Sequence, residues 1–342
     1  MSTGFKFWLN ELAQGKTLSE PEAEQAFDII MSGDATLPQM GAFLMAMRVR
    51  GETVDEITGA ARVMRAKALH VAAPADAIDT CGTGGDASGS FNVSTAVALI
   101  AASCGVPVAK HGNRAMSSKS GSSDILTALG VNIDIPMEAI EAGLRDIGLG
   151  FLMAPRHHAA TRHVNPVRVD MGTRTIFNML GPLSNPAGVK RQLIGVFAPQ
   201  WVHPFAEVLQ RLGSTDCWVV HGEGLDELTT TGTSHVAALK NGEIRSFTLR
   251  PEDVGLPAAT RADIAGGTPE ENAAMMHELL GGKTGPIRDI TLLNAGAALI
   301  VAGRAEDLVQ GMKIAADAID SGKTAATLKR FIAHTQSALA AS

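Results

Sequence analysis

The chain has 342 residues, which at roughly 100–200 residues per domain fits two domains or one large one. Its 45% hydrophobic and 19% charged content supports a sizeable core and excludes a disordered chain, while 4% aromatics without any tyrosine excludes a catalytic phenol and disfavours a stacking platform for single-stranded nucleic acid. The net charge of -6 disfavours whole-surface attraction to DNA or to an anionic membrane.

The first 70 or so residues read as consecutive helices. Three capping boxes follow one another: Ser19 with Glu22, Thr36 with Gln39, and Thr53 with Glu56. Pro21 and Pro38 fall in first turns, where a missing N–H costs little, and Gly33 and Gly51 are stops. Phe43 and Met47 recur at helical spacing, with Arg50 on the exposed flank. Val71 to Asp76 then breaks the pattern and reads as a hinge.

From Ala77 onward, short apolar runs alternate with helices. Strands are expected at Ile78–Cys81, Val106–Ala109, Gly150–Met153, Gln192–Phe197 and Cys217–Val220. Helices are expected at Ser94–Ser103, Asp124–Leu129, Pro136–Ile147 and His203–Leu212. This alternation implies a parallel sheet covered by helices on both faces. A hairpin is expected at Asn241-Gly242, followed by Ala-rich helices to the end.

Cys81, Cys104 and Cys217 are odd in number and far apart, so they read as small apolar residues and not as a disulfide framework or zinc site. The N-terminus lacks the apolar stretch of a secretory signal. No charge-free run of about 18 apolar residues suggests a membrane span, and a cytoplasmic protein is expected.

The chemistry gathers in three loops. Asp79 to Thr95 follows a strand and precedes a helix. Gly82, Gly84 and Gly85 let backbone N–H groups approach an anion, and Ser94 or Thr95 can cap the helix that follows. The bland alternative is a glycine-rich turn without a ligand. Gly82-x-Gly84-x-x-Ala87 loosely fits a dinucleotide fingerprint, but Asp86 to Ser90 separate it from the helix and no acid follows about 20 residues on. The Gly-Lys-Thr triplets at Gly15, Gly282 and Gly322 are not P-loops, because the first motif glycine falls on Asn10, His277 and Asp317. The second loop, Lys110 to Asp124, gathers Lys110, His111, Arg114 and Lys119 with five serines, a composition suited to a polyanion such as pyrophosphate. Two such loops at the carboxyl ends of strands face one crevice. In the third, Gly224 to Gly232, the adjacent acids Asp226 and Glu227 suit Mg2+, although such pairs are mostly surface charge when alone.

Together these motifs resemble the anthranilate phosphoribosyltransferases. They are Gly82-Thr-Gly-Gly-Asp86, Asn92-Val-Ser-Thr95, Lys110-His-Gly-Asn-Arg114 through Ser122, Asp226-Glu227, and Arg174-Thr-Ile-Phe-Asn178 through Pro186. The resemblance spans nearly the whole chain in order. It implies an α/β fold shared with pyrimidine nucleoside phosphorylases, in which a small all-helical N-terminal domain is hinged to a larger α/β domain with a mainly parallel central sheet. The boundaries expected are residues 1–72 and 73–342, with 166–187 returning to the helical part. The implied reaction moves phosphoribose from phosphoribosyl pyrophosphate to the amine of anthranilate and releases pyrophosphate, in tryptophan biosynthesis. The implied assembly is a homodimer, with neither nucleic acid nor membrane as partner.

Carried over by position, the resemblance places Gly82, Gly85, Asp86, Ser90, Asn92, Val93, Ser94 and Thr95 at phosphoribosyl pyrophosphate. Lys110, His111, Gly112, Asn113, Arg114, Ala115, Met116, Ser117, Ser118 and Ser122 join them. Ser94, Asp226 and Glu227 are the implied Mg2+ ligands, for two ions. Gly82, Asn113 and Arg168 are implied at anthranilate, where a guanidinium can grip a carboxylate through two hydrogen bonds. His158 either borders that site or is a capping or solvated histidine. Two departures stand out: His158-Ala-Ala-Thr161 where the family often has His-Pro-Ala-Met, and Val169 where it has a second basic residue. The implied chemistry has no covalent nucleophile and no obligatory base, with Lys110, Arg114 and Lys119 stabilising leaving charge. The alternatives are a nucleoside phosphorylase of the same fold and a non-catalytic nucleic-acid-binding relative.

Overall fold

The computed structural model describes residues 4–85, 89–114 and 119–340. Four helices open it: α1 (Phe5–Ala13), α2 (Glu20–Ser32), α3 (Leu37–Arg50) and α4 (Val54–Ala66). All three expected capping boxes form, and α2 ends on left-handed Gly33 at φ 82°. Arg50 is not on an open flank as expected. It pairs at 2.5 Å with Glu56, whose buried carboxylate also accepts from the Leu18 and Thr53 N–H groups at 2.9 Å. A buried carboxylate needs such partners, because unpaired it would cost several kcal/mol.

The rest of the chain follows as β1 (Ile78–Gly82), α5 (Val93–Ser103), β2 (Val108–Gly112), α6 (Ser122–Ala128), α7 (Met137–Asp146), β3 (Leu149–Met153), α8 (Ala154–His157), α9 (Asn165–Met171) and α10 (Phe177–Leu183). Then come β4 (Arg191–Gly195), α11 (Val202–Arg211), β5 (Asp216–Gly222), β6 (Ser234–Lys240), β7 (Glu243–Leu249), α12 (Pro269–Leu280), α13 (Pro286–Val301), α14 (Leu308–Asp320) and α15 (Lys323–Ala340).

The sheet has the order β3-β2-β1-β4-β5-β6-β7. Strands β1 to β5 run parallel, and β6 and β7 close the edge antiparallel. The expected hairpin forms, with Asn241 and Gly242 both at positive φ as a tight primed turn requires. The chain winds outward from β1 to β3 and then returns to β4 on the other side of β1. That reversal between β1 and β4 is a topological switch point, where ligands bind outside the carboxyl ends of strands.

Strand alternation separates the core by sheet face, with a smaller third cluster around Ala109 and Leu152. Ile78, Leu193 and Val220 face a cluster under α5 and α13. Cys81, Ile194 and Val219 face a second cluster, continuous with the helical bundle. Phe177 of α10 packs its ring 5.8 Å from Phe27 of α2, so the segment after α9 shares the bundle's interior. Arg65 of α4 donates to the carbonyls of Leu183 and Leu212, and burial lowers its pKa to about 10. Cys81 and Cys217 are buried, Cys104 is half-buried, and all three are free thiols. Among the described residues no helix is long and apolar enough to cross a membrane.

Candidate active site

The first loop is shaped by what glycine leaves out. Gly82 and Gly195 are register partners on β1 and β4. A Cβ on Gly82 would collide with the Asp226 carboxylate, and one on Gly195 with the Asp226 backbone. The paired glycines therefore open the switch point to the third loop. Gly84 and Gly85 both take left-handed conformations, at φ 63° and 70°, and the Gly84 N–H donates to Asp226 Oδ2 at 2.7 Å. Thr83 ties the loop to β4: its N–H donates to the Gly195 carbonyl, and its Oγ1 accepts from the Phe197 N–H at 3.0 Å. Asp86 lies outside the described residues. Ser90 bridges to Ala265.

Helix α5 starts two or three residues earlier than a Ser94 or Thr95 cap would place it. Asn92 is the N-cap residue, and both hydroxyls sit inside the first turn. The Asn92 side chain bonds outward, donating to the Ser120 carbonyl and accepting from Ser120 Oγ and Asn272 Nδ2. This clasps the first loop to the second. Val93 is buried at 1% exposure and serves the core.

Strand β2 runs to Gly112, where the sequence pattern ends it at Ala109. Lys110, His111 and Gly112 are therefore strand residues and not loop residues, and their side chains alternate across the sheet. The basic cluster is split as a result. Lys110 is 3% exposed; its ammonium donates to the Thr80 carbonyl at 2.5 Å and to Ser94 Oγ at 3.2 Å. Burial lowers its pKa, and the nearby carboxylates of Asp79, Glu227 and Asp226 oppose that shift. Arg114 and Lys119 are exposed. Asn113 accepts from the Arg114 N–H through Oδ1 and from Ser122 Oγ through its carbonyl. Gly112 lies where any Cβ would meet Ser122 Oγ and Phe151. Ala115, Met116, Ser117 and Ser118 lie outside the described residues.

On the other face, the His111 ring is buried with Nδ1 3.0 Å from the Gly181 carbonyl, and the His111 backbone N–H donates to Asp79 Oδ1 at 3.0 Å. Asp79 is fully buried, also accepts from Asn185 Nδ2 at 2.8 Å, and has its pKa raised by burial. The His111 ring meets that of His158 at 5.1 Å between centroids, edge to face. Burial, with the neighbouring histidine adding to it, pushes His111 down to about 3; burial pushes His158 down to about 4. His158 is 3% exposed and so is not solvated; it is the cap residue between α8 and the 3-10 turn at Ala159–His163, with no cap hydrogen bond from its ring. Its ring nitrogens make no hydrogen bond of normal geometry among the described residues, although the Ser184 backbone lies near. Arg168 is half-buried on α9; it donates to Asn165 Oδ1 at 3.3 Å and lies over the Phe177 ring at 5.5 Å. It makes no hydrogen bond to Asn113 or His158, and no ion pair forms to it among the described residues.

The third loop leaves β5. His221 is buried at its start; Nδ1 faces the Val196 carbonyl at 2.8 Å and Nε2 accepts from the Gly224 N–H at 2.9 Å. These partners require the neutral tautomer protonated at Nδ1. Glu223 and Gly224 both have positive φ, so the chain turns back sharply and delivers Asp226 to the paired glycines. Asn294 of α13 fixes the far end through two hydrogen bonds to Leu228. The donor set suits a hard divalent cation: two adjacent carboxylates and the Ser94 hydroxyl, all oxygen, sharing Lys110 as neighbour. Among the described residues no group of three or more His, Cys, Asp and Glu forms such a cage. A site of few protein ligands is what Mg2+ uses when it keeps water and substrate phosphate around it.

Sequence reasoning passed over Gly195 and His221, and named Arg174 only as the start of a resembling run, with no role. Arg174, between α9 and α10, lies with its guanidinium carbon 4.2 Å from the centroid of Phe197 and faces Gly85.

The helical bundle domain of the glycosyl transferase family matches residues 7–68, and its a/b domain matches residues 74–325. A two-domain glycosyl transferase is thus the class that fold and loops define. The anthranilate phosphoribosyltransferase of Beijerinckia indica is 59% identical, covering 96% of both chains, and that of Agrobacterium fabrum is 58% identical with the same coverage. Among solved structures, the enzyme of that name from Thermus thermophilus superposes with a TM-score of 0.91 at 42% identity, over 96% of this chain and 99% of that one. The Saccharomyces cerevisiae enzyme in complex with PRPP and Mg gives 0.89 at 28% identity, over 97% and 98%. The chain belongs to the anthranilate phosphoribosyltransferase family, and it is an enzyme of phosphoribosyl transfer.

Proposed function

We propose that the crevice at the β1–β4 switch point binds phosphoribosyl pyrophosphate with Mg2+ and hands its phosphoribosyl group to the amine of anthranilate. The observation that carries this reading is the convergence of three loops distant in sequence: Gly84 N–H on the Asp226 carboxylate at 2.7 Å, and Asn92 clasped to Ser120. The yeast relative's complex with PRPP and Mg supports it.

In this reading the backbone N–H groups of Gly82 to Gly85 and the start of α5 face phosphate, with Asp86 and Ser90 beside them. Arg114 and Lys119 approach the polyanion from the second loop, with Asn113, Ser122 and residues 115–118. Lys110 acts from beneath: its buried charge biases the potential at Ser94 and the acids without leaving the strand. Asp226, Glu227 and Ser94 would hold Mg2+, in two ions. When bound, the metal supplies positive charge to a leaving diphosphate. Arg168 grips the anthranilate carboxylate, and His158 borders that site against His111.

The aromatic amine is neutral near pH 7 and already nucleophilic. The barrier therefore lies in separating pyrophosphate from an oxocarbenium-like sugar carbon. The chain's residues orient the two substrates, exclude water and stabilise charge, with no covalent nucleophile. Residues 1–72, joined by 166–187, form the helical part that closes on the body of 73–342. A homodimer and a cytoplasmic location complete the proposal.

Purified protein mixed with Mg2+, phosphoribosyl pyrophosphate and anthranilate should quench anthranilate fluorescence. An unchanged signal rejects the reading.

A further inference from the structure

We infer that Arg174 is a further substrate contact, a guanidinium that grips the diphosphate end of phosphoribosyl pyrophosphate beside the glycine-rich loop. The inference rests on the site reading above and assigns a residue that reading leaves idle. Arg174 stands over Phe197, its guanidinium carbon 4.2 Å from the ring centroid. Phe197 is itself fastened to the loop, because its N–H donates to Thr83 Oγ1 at 3.0 Å. A Cβ on Gly85 would lie 3.4 Å from Nη2 and 3.5 Å from Nε, so the edge of the guanidinium faces the loop across the space a side chain there would fill.

Two physical points turn this placement into a site. First, none of the five N–H donors of the guanidinium is used by a protein acceptor among the described residues, in hydrogen bond or ion pair. An arginine already ordered on an aromatic face, with its fork unspent, loses little further freedom on meeting an anion. Secondly, the charge balance of the crevice calls for a cation here. Asp226 carries a carboxylate onto Gly84, while Lys110 is buried under Ser94 and Arg114 and Lys119 stand on the second loop. A diphosphate laid at the switch point would otherwise meet acids on this side with no protein cation among the described residues there. The same chain segment places Arg168 over Phe177 and Arg174 over Phe197. The two arginines divide the anions of the reaction, carboxylate to the first and diphosphate to the second.

The test titrates inorganic pyrophosphate with Mg2+ into wild type, R174Q, R174K and F197L by calorimetry, alongside steady-state kinetics and thermal melts. R174Q should weaken pyrophosphate binding about tenfold and raise KM for phosphoribosyl pyrophosphate similarly, as loss of a charge-assisted bond does, with KM for anthranilate unchanged. R174K should recover part of the loss, because it restores charge without the fork. F197L should fall between, because it keeps the charge and removes its platform. Wild-type affinity in a folded R174Q overturns the inference, as does a rise in KM for anthranilate alone. If R174Q does not fold, the same readings on R174K decide. Absence of any pyrophosphate binding by wild type overturns the site reading itself, and the inference with it.

Discussion

The loops that leave β1 and β2 both read as phosphate loops and differ in construction. The first is held at every turn by other parts of the molecule: Asp226 bonds Gly84, Thr83 clasps β4 and Phe197, and Asn92 binds Ser120 and Asn272. At Gly82 another chain segment passes, and at Gly85 the Arg174 side chain. The second carries its cations outward. Arg114 and Lys119 are exposed, and the contacts around Asn113 and Ser122 are local. One loop is framework that happens to present N–H groups, and the other is charge on a short tether. Damage to the first should therefore cost fold and activity together, whereas damage to the second should cost binding alone.

The largest effect is expected from G195A. Its Cβ would occupy the Asp226 backbone position, so backbone must move. Activity should fall at least about a hundredfold and thermal stability by several degrees, as overpacking predicts. A melt and a progress curve check both. Next, D226N with E227Q should lower activity by about a hundredfold and raise the Mg2+ requirement, visible in a Mg2+ titration. An unchanged Mg2+ dependence would remove the acids from the metal site. R168A should raise KM for anthranilate about tenfold, through loss of a charge-assisted pair, and leave KM for phosphoribosyl pyrophosphate alone. Equal effects on both would make Arg168 structural. R114Q with K119Q should raise KM for phosphoribosyl pyrophosphate about tenfold with an unchanged melting temperature. A lowered melt there would erase the contrast between the loops.

The last prediction concerns stability below neutral pH, through the histidines behind the site. His111 and His158 are neutral in the folded chain down to about 3 and about 4, while an unfolded histidine takes a proton near 6.5. Between pH 6.5 and about 4 the unfolded state therefore binds more protons, so stability falls as pH falls through that window. The slope is up to about 1.4 kcal/mol per pH unit for each histidine. H158Q should flatten that slope in denaturant melts at stepped pH.

Much of this was legible in the chain because it is written locally. Capping boxes, the Asn241-Gly242 hairpin and the three loops each announce themselves within a few residues. What was hidden depends on distant partners. Lys110 and His111 read as polar loop residues because nothing local shows that Thr80 and Ser94 receive the first side chain and the Gly181 carbonyl the second. A buried lysine is tolerable only with those acceptors in place. Gly195 looks like an ordinary strand end until Asp226 crosses it, and His221 like a polar strand residue until Gly224 folds back onto its ring. Arg174 sits within a run recognisable by resemblance, yet only folding puts Phe197 under it.

The most direct measurement of the central claim follows pyrophosphate and anthranilate together in one reaction with Mg2+ and phosphoribosyl pyrophosphate. Transfer in a crevice that excludes water predicts one pyrophosphate released for each anthranilate consumed, and almost none when anthranilate is withheld. Release of pyrophosphate at the same rate without anthranilate would contradict it.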